Sequence, residues 1–303
     1  MLQHYADYEY LLASTQLFLA MLGMGALLAP ADFLSEIKKP KSLLVGIALQ
    51  WCLVPLLAFT LSFILPVPAG IAIGLMMLAS VPCGTLSNVL TYFGKGNIAL
   101  AISLTAITTV ATLVITPLLM QLMFSNYFPA EFKMPMGQIT KDIVVSLISP
   151  LFLGMWIKSK ISLNASERFS KWTIRFSLLL IVLMGVSAGH SGRVDPKTYG
   201  VMGIAALAVF ALSAQLLSLA VSLLMKLPAR DALALVIKAA FRNVSLAVAI
   251  KAIIFPAQSG QLDPIGNAVF FTVLLYGGVS LVMSIVPVLI NRLLINKTSV
   301  AIK

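Results

Sequence analysis

Long apolar runs separated by short polar connectors organise the whole chain. A membrane-crossing helix needs roughly 20 apolar residues. On that count nine spans are predicted, at about 9–30, 42–65, 69–94, 97–125, 137–159, 172–190, 199–225, 231–256 and 264–293. Pro30, Pro40, Pro66, Pro68, Gly94, Gly96, Pro129 and Pro196 punctuate the connectors. The longest connectors lie at 126–136 and 158–171, and the second is basic enough to read as a solvated linker. No Lys or Arg precedes the first run, as a secretory signal would require, so this run is expected to stay in the membrane as a helix.

Composition makes this an all-α multi-pass membrane protein. Apolar residues make up 60% of the 303 positions and charged ones only 10%, too few to coat a globular surface. A soluble enzyme, a disordered tail and a disulfide scaffold are excluded. The net charge of +11 does not point to nucleic acid, because the basic residues sit in connectors, apart from Lys238, Arg242 and Lys251 within the eighth span. With the N-terminus outside, the inner connectors and C-terminal tail hold fourteen: Lys38, Lys39, Lys41, Lys95, Lys158, Lys160, Arg168, Lys171, Arg175, Lys226, Arg230, Arg292, Lys297 and Lys303. The outer side holds four, Lys133, Lys141, Arg193 and Lys197. This bias predicts an N-out, C-in orientation. Cys52 and Cys83 lie in apolar runs and are expected to be free buried thiols without metal. His4 and His190 read as inert residues near the interfaces, and Gly94-Lys95-Gly96 as a tight turn.

An internal repeat follows from paired motifs. Ala20-Met21-Leu22-Gly23-Met24-Gly25 in the first span matches Ile181-Val182-Leu183-Met184-Gly185-Val186 in the sixth. Ser87-Asn88-Val89-Leu90 in the third matches Arg242-Asn243-Val244-Ser245 in the eighth. An offset of five helices inverts the second copy across the bilayer. Spans three and eight are also polar at mid-depth. Pro82 removes a backbone donor and Gly84 weakens the helix, so the third span is expected to unwind there. Thr85, Ser87 and Asn88 then suit the capping of a fresh half-helix. Irregular backbone at that depth is tolerated only when it is buried in protein or lines a cavity.

Lys238 and Arg242, one turn apart on the same face of the eighth span, are the residues with the most chemistry. Intramembrane cations are costly and mark functional sites. All ten acids, Asp7, Glu9, Asp32, Glu36, Glu131, Asp142, Glu167, Asp195, Asp231 and Asp263, lie in connectors or at span ends. The cations are therefore expected against the carbonyl end of a half-helix or beside an anion held by half-helix N-termini. Lys251, five residues before Pro256, is expected to snorkel outward and has no assigned role.

At these residues the chain resembles the bile acid:sodium symporter family. The likeness runs from about Gln16 to Ile290. It is most specific from Pro82 to Pro117, in Gly84-Thr85-Leu86-Ser87-Asn88-Val89-Leu90-Thr91-Tyr92 and Gly94-Lys95-Gly96-Asn97. The resemblance implies a single transporter domain over 1–303 in the inner membrane of a bacterium, with a panel (about 9–30, 137–159 and 172–190) and a core (about 42–125 and 199–293). Bacterial members often have ten helices, and this chain reads as lacking the first. Spans three and eight would cross at their breaks, and the core would move against the panel to expose the crossing alternately.

The resemblance also maps the sodium sites, and here the chain departs from the pattern. Ser87, Asn88 and Thr105 match one site, whereas Ala101 does not, and Gln50 matches the early glutamine of the other. The shared Glu-x-x-x-Gln-Asn reads Lys238-x-x-x-Arg242-Asn243. Lys238 and Arg242 are therefore expected to replace the two sodium ions, leaving no cofactor and a sodium-independent uniporter or exchanger. A buried lysine can release its proton and an arginine cannot, so proton coupling stays open. The expected substrate is an organic anion, bile acid-like or pantoate-like, bound near Thr85, Ser87, Asn88, Arg242 and Asn243. Other readings are a sodium-coupled bile acid symporter, an arsenite carrier built on Pro82-Cys83, and a non-transporting membrane sensor or scaffold. The oligomeric state is not readable from the sequence.

Overall fold

The computed structural model describes residues 5–28, 40–128, 133–190, 196–256 and 263–301. Pro30, Asp32, Glu36, Lys38, Lys39, Pro129, Glu131, Arg193, Asp195, Lys303 and His4 lie outside them. Eleven helices account for nearly all of the described chain: α1 (Tyr5–Gly25), α2 (Pro40–Ile64), α3 (Ala69–Ser80), α4 (Leu86–Phe93), α5 (Ile98–Phe124), α6 (Met136–Lys160), α7 (Leu163–His190), α8 (Pro196–Leu224), α9 (Ala229–Ala240), α10 (Val244–Ile254) and α11 (Pro264–Ala301). Six of them contain stretches long and apolar enough to cross a membrane: Pro40–Ile64, Ile98–Phe124, Met136–Lys160, Leu163–Ser187, Tyr199–Leu224 and Pro264–Leu293.

Two of the predicted spans are divided. The third becomes α3 and α4, separated at Val81–Thr85, and the eighth becomes α9 and α10, separated at Phe241–Asn243. α3 is buried from Gly70 to Ser80. α9 is buried from Ala232 to Ala240 and α10 from Leu246 to Ile254. Irregular backbone therefore sits inside protein, as the lack of water in a bilayer demands.

Prolines explain two further irregularities. A π-helical turn at Leu49–Leu53 precedes Pro55, and another at Ile143–Ile148 precedes Pro150. Each proline lacks an N–H and displaces the carbonyl four residues earlier, which widens the preceding turn. Small residues fix one helix crossing. A Cβ on Gly25 would strike the Leu151 carbonyl, and one on Gly154 would strike the Leu22 carbonyl, so α1 and α6 touch backbone to backbone.

The solvated linker expected at 158–171 is instead helical. α6 runs to Lys160 and α7 starts at Leu163. The Ser162 hydroxyl accepts from the Ala165 N–H at 3.4 Å, and Lys171 pairs with Glu167 one turn away at 3.9 Å, so polar composition here marks a capped helix end. The Gly94–Gly96 turn forms as expected, with Lys95 in the left-handed region at φ 59°. His190 is exposed and its Nδ1 lies 3.1 Å from the Val186 carbonyl of its own helix. Cys52 is exposed, contrary to expectation, because it lies on the outward face of α2, whereas Cys83 is buried.

Candidate functional site

The two breaks pair with each other. Cys83 and Arg242 form an antiparallel bridge. The Gly84 N–H donates to the Phe241 carbonyl and the Asn243 N–H to the Pro82 carbonyl, both at 2.9 Å. Each unwound segment thereby satisfies backbone groups that the other exposes. Glycine is needed at position 84, since a Cβ there would sit 2.9 Å from the Arg242 carbonyl and 3.0 Å from the Phe241 ring.

Arg242 lies 1% exposed across the end of α3. Its Nε donates to the Leu78 carbonyl at 3.0 Å, and its Nη2 donates to the Ala79 carbonyl at 2.7 Å and to the Val81 carbonyl. The guanidinium thus replaces the helical partners that α3 loses at its break, where the helix dipole favours a cation. Thr116 Oγ1 donates to the Ser80 carbonyl at 2.6 Å, and Tyr276 donates to the Ala240 carbonyl at 2.5 Å at the end of α9.

Lys238, also 1% exposed, points from α9 into a nest of oxygens. Its ammonium donates to Thr105 Oγ1 at 2.5 Å, Asn88 Oδ1 at 2.7 Å and Ser87 Oγ at 3.0 Å, with Cys83 Sγ at 3.5 Å. Three oxygen acceptors satisfy the three N–H donors of an ammonium. Thr105 in turn donates to the Ala101 carbonyl at 2.9 Å. Among the described residues, no carboxylate pairs with Lys238 or Arg242.

The π turn in α2 aims Gln50 at the same stretch, where its Oε1 accepts from the Cys83 N–H at 3.1 Å. Gln50 Nε2 and Arg242 Nη1 are buried there without a hydrogen-bond partner. The remaining candidates differ in their roles. Asn243 caps α10, accepting from the Leu246 N–H at 3.1 Å. Thr85 stands at the N-cap of α4 but makes no side-chain cap bond, and Ser87 Oγ donates back to the Gly84 carbonyl at 2.5 Å. The expected capping by Thr85 and Ser87 is therefore absent. Thr85 and Asn88 are half-buried, whereas Ser87, Arg242 and Asn243 are buried.

Two groups that the sequence reading passed over are also polar and buried. Lys251 does not snorkel. It is 1% exposed, donates to Glu9 Oε1 at 2.6 Å and lies 5.3 Å from the Phe270 ring centroid, because α1 covers its end of α10. Asp142, 4% exposed, accepts from Tyr10 at 2.7 Å and Ser146 at 3.1 Å. Glu9 and Asp142 lie near helix ends as predicted, yet helix packing removes both from solvent.

The sequence profile of the Sodium Bile acid symporter family matches residues 15–193. An uncharacterized sodium-dependent transporter of Bacillus subtilis is 36% identical over 138 residues, covering 46% of this chain and 42% of its own. Sodium/bile acid cotransporter 4 of Homo sapiens is 27% identical over 249 residues, 80% of this chain and 56% of the relative. The human ileal sodium/bile acid cotransporter is 29% identical over 174 residues, 57% of this chain and 49% of the relative. The matched region thus spans about half the length of these relatives, which are named as transporters and not as enzymes. The profile match over more than half of the chain, on an all-helical apolar scaffold, identifies an integral membrane protein that belongs to the sodium bile acid symporter family.

Proposed function

We propose that the chain is a secondary transporter of organic anions that works by alternating access without sodium. Lys238 and Arg242 stand where sodium-coupled members hold their ions. The observation that carries this reading is the set of acceptors around Lys238: Ser87, Asn88 and Thr105, the residues that the family resemblance assigns to a sodium site, all receive its ammonium. An ammonium and a sodium ion ask the same of a site, several oxygens around one positive charge. With the nest filled by a tethered cation, no free ion is required and no cofactor is invoked.

The architecture in this reading has nine crossings, in which α3–α4 and α9–α10 each make one. Spans 1–4 repeat as spans 6–9 in inverted orientation. α1, α6 and α7 form the panel, and α2–α5 with α8–α11 form the core. The N-terminus lies outside, the C-terminus inside, and the membrane is a bacterial inner membrane. The substrate is a bile acid-like or pantoate-like carboxylate, held beside half-buried Thr85 and Asn88 with Ser87, Arg242 and Asn243 behind them. Two buried cations without a paired carboxylate among the described residues, and two unpartnered donors on Gln50 and Arg242, support an anionic cargo.

The names of the relatives favour a second reading, sodium-coupled symport. Thermal unfolding of the purified protein in sodium against N-methylglucamine, at matched ionic strength, separates the two. A bound ion stabilises the state that binds it. A flat response supports the built-in cation, and a sodium-specific rise in melting temperature overturns it.

A further inference from the structure

We propose that Glu9 and Lys251 form a gate that holds the panel against the core on one side of the crossing. This assignment rests on the carrier reading above. Glu9 belongs to α1 and Lys251 to α10, so their 2.6 Å contact joins the two bodies that must separate for the carrier to turn over. A second bond lies deeper in the same seam. Gln16 Nε2 donates to Ser245 Oγ on α10 at 2.9 Å and to Ser177 Oγ on α7 at 2.7 Å. Glu9, Ala13 and Gln16 recur at helical spacing, so both contacts lie on one face of α1. Ala13, between them, is fully buried.

The rest of the packing shows why this seam is the one that holds. α1 packs along α10, and the first half of α6 packs against α5 and α10. At the opposite end, α4 and α9 pack against α5, α8 and α11, with no comparable packing on α1, α6 or α7 among the described residues. On the N-out orientation the contacts between panel and core helices, among the described residues, gather at the outer half of the seam. The ion pair therefore biases the carrier toward the inward-facing state.

Its chemistry suits a latch more than a brace. A buried ion pair adds little net stability, because the desolvation of both ions offsets their attraction. Separating the ions inside hydrocarbon or protein is prohibitive, whereas separating them into water restores their hydration. The pair can open only as the seam admits solvent, which couples its rupture to opening of the outer cleft. Lys251 and Glu9 act through the position of α1 on α10, and neither touches the substrate in this scheme.

The test uses the full chain in lipid nanodiscs with Ala13→Cys as the reporter and a hydrophilic maleimide as the probe. Labelling of Cys52 and Cys83 in the protein without the reporter is subtracted. The parent should label slowly. Glu9→Gln, which leaves Lys251 buried without the Glu9 carboxylate, disfavours the closed seam and should label about tenfold faster, equivalent to roughly 1.4 kcal/mol of lost bias. The exchanged pair, Glu9→Lys with Lys251→Glu, should restore protection, which a merely packed interface would not do. Unchanged labelling in folded Glu9→Gln overturns the gate. If that variant does not fold, Glu9→Asp carries the comparison: it keeps the charge and shortens the reach, so faster labelling supports the gate and unchanged labelling overturns it. Uptake of taurocholate or pantoate into liposomes is scored separately. Gate behaviour without uptake of either removes the carrier reading alone, and uptake with unchanged labelling removes the gate alone.

Discussion

Around its break the first broken helix presents acceptors: the carbonyls of Leu78, Ala79 and Val81, then the side-chain oxygens of Ser87 and Asn88. Around its break the second presents donors, Lys238 and Arg242, and supplies its own N-cap in Asn243. The two segments exchange matching backbone bonds, yet their side chains carry opposite roles. Backbone reciprocity is a demand of the bilayer, since each unwound segment must be satisfied internally. Which cation fills the acceptors is a separate matter. On the proposed ion-replacement reading, that filler changes without altering how the breaks meet, so the fold and the coupling chemistry would be separable.

Substitutions on the two sides should expose that separation. The largest loss is expected for Arg242→Leu, which strips the cation from three buried carbonyls. Each buried carbonyl left unsatisfied costs about 1–3 kcal/mol, read together as the steepest fall in melting temperature in detergent. A milder effect would show that the α3 carbonyls find other partners. Next comes Lys238→Glu with Arg242→Gln, which exchanges the built-in cations for an acid and an amide. It should gain sodium-dependent melting, by about 2.7 kcal/mol at a hundredfold excess of sodium over its Kd. Indifference to sodium in a folded double variant would count against the ion-replacement reading. Gly84→Ala should cost about 1–3 kcal/mol by forcing apart the paired segments, with Lys238 untouched. The smallest effects make the sharpest contrast. Asn243→Ala should lose a cap worth about 1 kcal/mol, whereas Thr85→Ala, at the equivalent cap position, should lose only a few tenths. Equal losses would erase the asymmetry.

Much of this site was legible in the chain. Pro82 and Gly84 locate the first break because their backbone properties are local. The cations announce themselves by composition, since Lys and Arg are rare within apolar runs. The destination of Arg242 at a half-helix carbonyl end also follows from dipole reasoning. What escaped reading depends on distant packing. Lys251 was given an outward path because its partner, Glu9, is 242 residues away and comes close only when α1 lies along α10. The inward turn of Gln50 had an overlooked local sign in Pro55. The cap expected from Thr85 is absent because its backbone is already helical, at φ −64° and ψ −32°, where a capping residue is extended. α7 begins nine residues before the predicted span because charge at an interface does not end a helix that is capped and internally paired.

The crossing also has a consequence for how the chain is made. The carbonyls of Leu78, Ala79 and Val81 wait for a guanidinium 161 to 164 residues further along the sequence. During synthesis the first half enters the membrane with an open helix end and no partner for it. Lipid offers none. The early helices must therefore linger beside water, an insertion machine or one another until residue 243 has emerged. The two broken helices cannot complete their hydrogen bonding apart from each other. Closure of the crossing therefore awaits the arrival of Arg242.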